Sequence, residues 1–391
     1  MKILITSDWN PAAVNGVVTS VKNLRQELEL RGHEVRILTL ALNHNSWEAD
    51  GVTYLGSMPV GRIYPGARVR RAFVGKWIQE LIQWGPDVVH SQCEFSTFFL
   101  ARRIAEELEI PLIHTYHTVY EDYTHYFSPS VRLGKKAVAT LSRWIAGHTD
   151  CMIAPTDKVR RLLLNYGVCT PVHVVPSGID LRRFRRETEP ETFARMRREL
   201  GIPADRKILV NVGRLAEEKN LEELLRFRAN MGQCDVTLLL VGGGPWKAHL
   251  EGVAACLGLK APDVVFAGMV PPETVSDWYR MGDLFVSAST SETQGLTYVE
   301  ALAAGTPILC RADECLDQVI REGENGWQYT NEEEFRSRME EYFSDSARKT
   351  AMRQCALETA EEYSSELFAQ RVEQIYLAQI ARYQSLRKIP A

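Results

Sequence analysis

Two glutamates eight positions apart, Glu292 and Glu300, stand in the segment SASTSETQGLTYVEALAAGTP, with two cations, Arg214 and Lys219, upstream in VGRLAEEKN. A carboxylate accepts two hydrogen bonds from vicinal hydroxyls, while a guanidinium and an ammonium together neutralise a diphosphate and stabilise it as a leaving group. The stretch before Gly295 is rich in Ser and Thr and reads as loop. Leu296 to about Ala304 are good helix formers. Glu292 is therefore expected on the loop and Glu300 on the second helical turn. Between them, the N–H groups of Gly295, Leu296 and Thr297 and the positive end of the helix dipole suit a diphosphate. This predicts a hexose at Glu292 and a ribose at Glu300. Singly, each glutamate reads as well as a solvated surface charge; its combination with the glycine and the Arg/Lys pair carries the binding reading.

These groups need a scaffold, and the sequence supplies a regular one. Short β-branched runs alternate with helical stretches, which predicts parallel sheets flanked by helices. In the first half the strands are KILITS, EVRILTL, VTYLGS, DVVHSQ, PLIHTYH, CMIAPT and VHVVPS; in the second they are KILVNVG, VTLLLVG, VVFAG, LFVSAS and PILCRA. Val17–Leu30 carries Val17, Val21, Leu24 and Leu28 at helical spacing. A turn, a charged run and Pro190 separate the halves, and the pattern is helical after about residue 331. The expected fold is α/β, with two Rossmann-like doubly wound domains facing across a cleft: residues 1–180, joined by a C-terminal helix of about 364–391, and residues 181–363. Ligands in such sheets bind at the carboxyl ends of the strands.

Three further segments fall at those ends. The first loop, SDWNPAAVNGVVTSV, ends at Gly16 before a helix, where backbone N–H groups meet a phosphate or simply close a turn. VGGGP at 241–245 reads as a steric requirement of a strand-to-helix turn. LIHTYHTVYEDYTHYF follows a strand, so His117 at the strand end and Tyr120, Asp122, Tyr123 and Tyr126 beyond it are candidates to face the cleft and an apolar acceptor. There is no G-x-x-x-x-G-K-[ST], no G-x-S-x-G and no D-x-D. No metal is expected, so cationic side chains and a helix dipole must hold the diphosphate.

Charge is unevenly distributed. Residues 1–180 hold 19 Lys+Arg against 17 Asp+Glu, whereas the remainder holds 27 against 33. Residues 51–79 contain no acid but include Arg62, Arg68, Arg70, Arg71, Lys76 and Trp77; residues 123–149 contain none but include Arg132, Lys135, Lys136, Arg143 and Trp144. Basic amphipathic segments with interfacial tryptophan suit an anionic membrane surface, the competing reading being aromatics that face the core. Arg68, Arg70, Arg71, Lys76 and Trp77 are the expected membrane contacts. Eight cysteines without a C-x-x-C pair read as free thiols of a reducing compartment. The opening MKILITSD is too short in its apolar run for a signal peptide or a span, so a cytoplasmic chain attached peripherally to the inner face of the plasma membrane is expected.

The segments NGV, His117, VPSGID, VGRLAEEKN, VGGGP, FAGMV and SETQGLTYVEALAAGTPI together resemble family 4 of the retaining glycosyltransferases, which have the GT-B fold. The resemblance implies that Arg214 and Lys219 bind the donor diphosphate, Glu300 the ribose and Glu292 the transferred sugar. It further implies that the backbone near Met269 and Val270 meets the base, that His117 lies beside the reacting sugar, and that the last helix packs back on the first domain. TYHTVYEDYTHYF, VNGVVTSV and P-x-GID are most similar to bacterial enzymes that place glucose on diacylglycerol. Ser177 and Gly243 stand where the family often has Asn and Asp. The expected reaction is transfer of glucose from UDP-glucose to 1,2-diacylglycerol by front-side substitution, with a nucleotide-sugar donor, a lipid acceptor in an anionic membrane, and no nucleic acid. Other donors (UDP-galactose, UDP-GlcNAc, GDP-mannose), other acceptors (an inositol phosphate, a soluble thiol, a glycan) and a non-catalytic sugar-nucleotide binder remain alternatives.

Overall fold

The computed structural model describes residues 1–13, 15–60, 67–70, 75–121, 130–186 and 188–387. The chain divides into two compact units, Met1–Ile179 with Ser365–Ala391, and Asp180–Ser364.

The first unit contains β1 (Lys2–Ser7), β2 (Glu34–Leu40), β3 (Trp47–Ala49), β4 (Val52–Leu55), β5 (Met58–Pro59), β6 (Arg68–Val69), β7 (Val88–Ser91), β8 (Leu112–Thr115), β9 (Cys151–Ala154) and β10 (Val172–Val174). Eight of them form one sheet in the order β10-β9-β8-β7-β1-β2-β4-β3, while β5 and β6 pair as a separate antiparallel ribbon. Side chains alternate across a strand, so Ile3 and Ile5 pack with Leu24 and Leu28 of the helix Gly16–Leu30, whereas Leu4 packs oppositely with Phe98 and Ile104 of the helix Ser96–Leu108. The edge departs from the all-parallel expectation: β3 runs antiparallel to β4, and Trp47 stacks on Tyr54 with centroids 4.7 Å apart. Short strands covered by an aromatic pair leave little bare edge.

The C-terminal helix Ser365–Arg387 belongs to this unit. Phe368, Val372 and Tyr376 enter the same apolar cluster as Ile3 and Ile5. The Ser365 N–H donates to the Ile179 carbonyl at 2.8 Å, and the Tyr376 hydroxyl meets His90 Nδ1 at 2.6 Å.

The second unit contains β11 (Lys207–Val212), β12 (Val236–Val241), β13 (Val264–Gly268), β14 (Leu284–Ser287), β15 (Ile308–Arg311) and β16 (Gly326–Tyr329), all parallel, in the order β13-β12-β11-β14-β15-β16. This is the doubly wound dinucleotide-fold order. The direction of winding reverses between β11 and β14, and in the first unit between β1 and β7. At such a reversal the loops after the two central strands splay to opposite faces and leave a crevice for a ligand.

Candidate active site

In the second unit the reversal brings distant sequence together. Leu209 and Val210 of β11 pair with Leu284 and Phe285 of β14, so the loops after these strands lie side by side. The first carries Arg214 and Lys219, and the second carries Glu292. Lys219 Nζ donates to Glu292 Oε1 at 2.6 Å, with both side chains largely withdrawn from water. Arg214 Nη1 stands 3.9 Å from Glu218 Oε1, and the Glu218 side chain is buried with Oε2 making no hydrogen bond. Sequence reasoning passed over Glu218, since one acid in AEEKN carries no periodicity or spacing signal.

The triple glycine holds Arg214 in place. Gly213 N–H donates to the Val241 carbonyl and Leu215 N–H to the Gly243 carbonyl, each at 2.9 Å. A Cβ on Gly242 would sit 1.9 Å from the Gly213 carbonyl oxygen, and one on Gly244 would sit 2.2 Å from that of Leu215. The steric reading of VGGGP is thus the observed one, and it has a consequence for the site: two backbones touch so that the Arg214 loop is fixed. At Gly243 the contact is with Met269 Cγ at 2.9 Å, the flexible end of a side chain that is mostly exposed. Val270 follows it, half-buried.

After Glu292 the chain reaches Gly295 at φ 71°, the left-handed region, and then the helix Leu296–Ala303. The cap residue is a glycine and offers no side-chain oxygen to this helix start, where the N–H groups of Leu296 and Thr297 have the polarity expected of an anion site. Glu300 lies on the second turn, half-buried, and accepts from the Tyr279 hydroxyl at 2.7 Å. Burial raises its carboxyl above the ordinary range, partly offset by Tyr279 and by the charge of Arg183. Loop for Glu292 and helix for Glu300 is the placement the sequence predicts.

The first unit has its own reversal. The loop after β1 carries Asp8, the loop after β7 carries Gln92, Cys93 and Glu94, and β8 ends at Thr115, two residues before His117. His117 Nε2 meets Gln92 Oε1 at 2.6 Å; an amide oxygen only accepts, so the imidazole nitrogen donates. Burial, aided by His114, pushes His117 down to about 3, so the ring is neutral at physiological pH. Tyr120 donates to Glu94 Oε2 at 2.5 Å. His114 and Tyr116 of the same segment are fully buried and belong to the interior of the unit. Asp122, Tyr123 and Tyr126 lie outside the described residues. Gly16 opens its helix behind Asn15, whose Oδ1 takes the Val18 N–H at 2.9 Å, so one of the donors expected to meet phosphate is already used.

The expected membrane contacts are redistributed. Arg68 donates to Ser57 Oγ at 2.7 Å and to the Ser57 carbonyl at 2.8 Å; Arg70 donates to the Gly56 carbonyl at 2.9 Å. Trp77, like Trp84 and Trp144, packs partly buried against the cluster around Phe98 and Ile104. These guanidinium groups satisfy backbone carbonyls and these rings cover the core, so of the four described residues among the five only Lys76 is strongly exposed; Arg71 lies outside the described residues. The second basic segment behaves differently. On the helix Val131–Ala146, Val131, Arg132, Leu133, Lys135 and Lys136 are all exposed. Among the described residues no helix is long and apolar enough to cross a membrane.

Residues 14–183 match the family model "Glycosyltransferase Family 4", and residues 192–359 match "Glycosyl transferases group 1". The alpha-monoglucosyldiacylglycerol synthase of Streptococcus pneumoniae is 35% identical over 381 residues, covering 96% of this chain and 86% of that protein. The protein of the same name from Acholeplasma laidlawii is 30% identical over 390 residues, covering 96% and 97%. Among solved structures, Anabaena Alr3699/HepE in complex with UDP and glucose has a TM-score of 0.73 at 17% identity, covering 97% of this chain and all of that one. Two Rossmann-like units, a cationic pair at the switch point of the second, and full-length relatives at this identity lead to one conclusion: the chain belongs to glycosyltransferase family 4 and is a retaining glycosyltransferase of the GT-B fold.

Proposed function

We propose that this enzyme transfers glucose from UDP-glucose to the free hydroxyl of 1,2-diacylglycerol with retention, making an α-glucolipid at the surface of an anionic membrane. The observation that carries the reading is the pair of relatives named alpha-monoglucosyldiacylglycerol synthase, each matched over 96% of this chain. The donor half is supported by the second unit's geometry. Lys219 exchanges Glu292 for the diphosphate, and the released carboxylate accepts from hexose hydroxyls. Arg214 and the N–H groups at Gly295, Leu296 and Thr297 complete the anion site. Glu300 accepts from the ribose, and Met269 and Val270 lie along the base.

In the reaction the bond from C1 to the β-phosphate oxygen breaks and its electron pair stays on that oxygen, where Arg214, Lys219 and the helix dipole meet the charge. The acceptor oxygen bonds to C1 on the same face, and its proton passes to the departing phosphate oxygen. No metal is invoked in this reading, since the cations of the chain carry the neutralisation. A neutral His117 contributes a hydrogen bond to the sugar and no proton transfer. The exposed apolar and cationic residues at the start of the helix Val131–Ala146 support peripheral attachment to an anionic surface.

The test is a matrix of UDP-glucose, UDP-galactose, UDP-GlcNAc and GDP-mannose against diacylglycerol in anionic vesicles and against soluble acceptors, with products identified by mass and by the anomeric coupling in NMR. The expected product is α-glucosyldiacylglycerol from UDP-glucose. Faster turnover of another pair, or a β-linked product, overturns the reading.

A further inference from the structure

Unpartnered polar groups are concentrated at one place in the first unit. Of ten buried side-chain polar atoms without a hydrogen-bond partner among the described residues, six belong to Thr6, Gln92, Glu94, Thr97 and His114. Thr6 pairs in register with Ser91, and Ser91 with His114, so a polar row crosses β1, β7 and β8. Leu4, Val89 and Leu112, two residues earlier on the same strands, pack with Phe98, so the row faces the start of the helix Ser96–Leu108. Above it sit two carboxylates. Asp8 is occupied locally, since its Oδ1 takes the Thr97 N–H at 2.9 Å and its Oδ2 the Phe95 N–H at 3.2 Å.

Among the described residues Glu94 caps no backbone in this way. Its side chain is 3% exposed, its Oε1 lies 3.5 Å from His114 Nε2 without a hydrogen bond, and the Tyr120 hydroxyl donates to its Oε2. Burying a carboxylate with so little compensation carries a large desolvation cost, and such groups persist where a site needs them. This one lies where the winding reverses between β1 and β7, the ligand position of an open α/β sheet.

A phenol has a single O–H. In Tyr120 it is committed to Glu94, so the oxygen can offer only lone pairs to anything outside; burial and the neighbouring Glu94 charge raise the phenol well above its ordinary range, keeping that proton in place. We infer that Tyr120 is a hydrogen-bond acceptor for the O–H of the acceptor substrate, that Glu94 is the positioning residue that fixes it so, and that this arrangement selects an uncharged alcohol over a phosphorylated one. The Glu94 carboxylate behind an oxygen that can only accept disfavours an anion but welcomes a hydroxyl proton. The apolar side agrees: Phe95, 49% exposed, meets the Tyr120 ring edge-on at 5.9 Å, a surface suited to the carbon skeleton of a lipid alcohol. The inference rests on the transferase reading above and adds which side chains select that acceptor's hydroxyl.

The experiment compares the full-length wild type with Glu94→Gln, Tyr120→Phe and the double variant. Kinetics are measured on 1,2-diacylglycerol in mixed vesicles and on an inositol phosphate, and UDP-glucose affinity by calorimetry. A glutamine amide can donate to the phenol and free its proton to turn outward, so Glu94→Gln is expected to lower kcat/KM for diacylglycerol about tenfold through the acceptor KM, the equivalent of one hydrogen bond. Donor affinity stays within about twofold, Tyr120→Phe loses the same amount, and the double variant loses no more than either. Wild-type turnover of diacylglycerol with an unchanged acceptor KM in both variants, or additive losses, overturns this inference and leaves the transferase reading standing. Wild-type turnover of the phosphorylated acceptor alone overturns both. Should Glu94→Gln fail to fold, Tyr120→Phe, which removes one oxygen from a partly buried ring and leaves its packing in place, gives the same readout.

Discussion

Replacing Gly295 by alanine tests whether the helix start is the anion site or only a turn. The residue sits at φ 71°, where an L side chain costs about 1–2 kcal/mol. The added Cβ would also lie 2.2 Å from Cε2 of Tyr298, a fully buried ring that packs edge-on against Phe285. Ordinary contact begins at 3.4 Å, so the helix start or the ring must yield by about 1 Å. Because Tyr298 is locked in the core, the loop and first helical turn are the parts that move, and with them the N–H groups of Leu296 and Thr297. A misplacement of about 1 Å at a reacting group costs on the order of 100-fold in rate. The expected result is a protein destabilised by about 2–4 kcal/mol, with UDP-glucose affinity lowered and kcat/KM reduced roughly 100-fold in the fraction that remains folded. Thermal unfolding gives the first quantity, and calorimetry with initial rates on diacylglycerol vesicles gives the others. A variant that loses stability yet binds and turns over donor as the wild type does would refute the assignment of this helix start to the diphosphate.

Lys219→Met removes the cation paired with Glu292 and should lower kcat by about 100- to 1,000-fold, the usual loss for one transition-state charge contact, with retained folding checked by circular dichroism. Asp8→Asn should flatten a pH dependence: burial pushes the Asp8 carboxyl from 3.8 up to about 7, so its protonated form favours the folded state. That contribution is full below about pH 4 and lost as pH rises to about 7, at most about 4 kcal/mol. Wild-type unfolding midpoints should therefore fall across that window relative to the asparagine variant, and parallel profiles would contradict the assignment. Gly242→Ala should be severely destabilising, because its Cβ meets the Gly213 carbonyl oxygen at 1.9 Å, whereas Gly243→Ala meets only the mobile end of Met269 and should be tolerated; equal midpoints for the two would contradict the backbone contact.

How much was legible divides along physical lines. Apolar runs of β-branched residues and the turn residues between them specify strands locally, so the parallel strands of both sheets follow from sequence except β16, whose GWQY has no β-branched residue and was not expected. The antiparallel β3 does not, because three residues of mixed polarity carry no period. Glu292, Glu300 and Gly295 were legible because helix propensity and a glycine divide loop from helix within a dozen residues. Glu94, Glu218 and the buried row under Phe98 were not, since each is an acid or polar residue whose meaning depends on what surrounds it.

The sequence by itself determined the fold class and the transferase family, and it supplied the two cations, the glycine-led helix start and the two carboxylates on which the proposed donor site rests. Only the tertiary structure decided which groups meet. Strand order placed Lys219 against Glu292 across 73 positions, and the glycine turn pressed the Arg214 loop into place. It also took Arg68 and Arg70 off the surface by tying them to carbonyls. Periodicity is a property of neighbours along the chain, whereas desolvation and pairing depend on neighbours in space, and it is these that set a carboxylate's protonation and the direction in which a phenol donates.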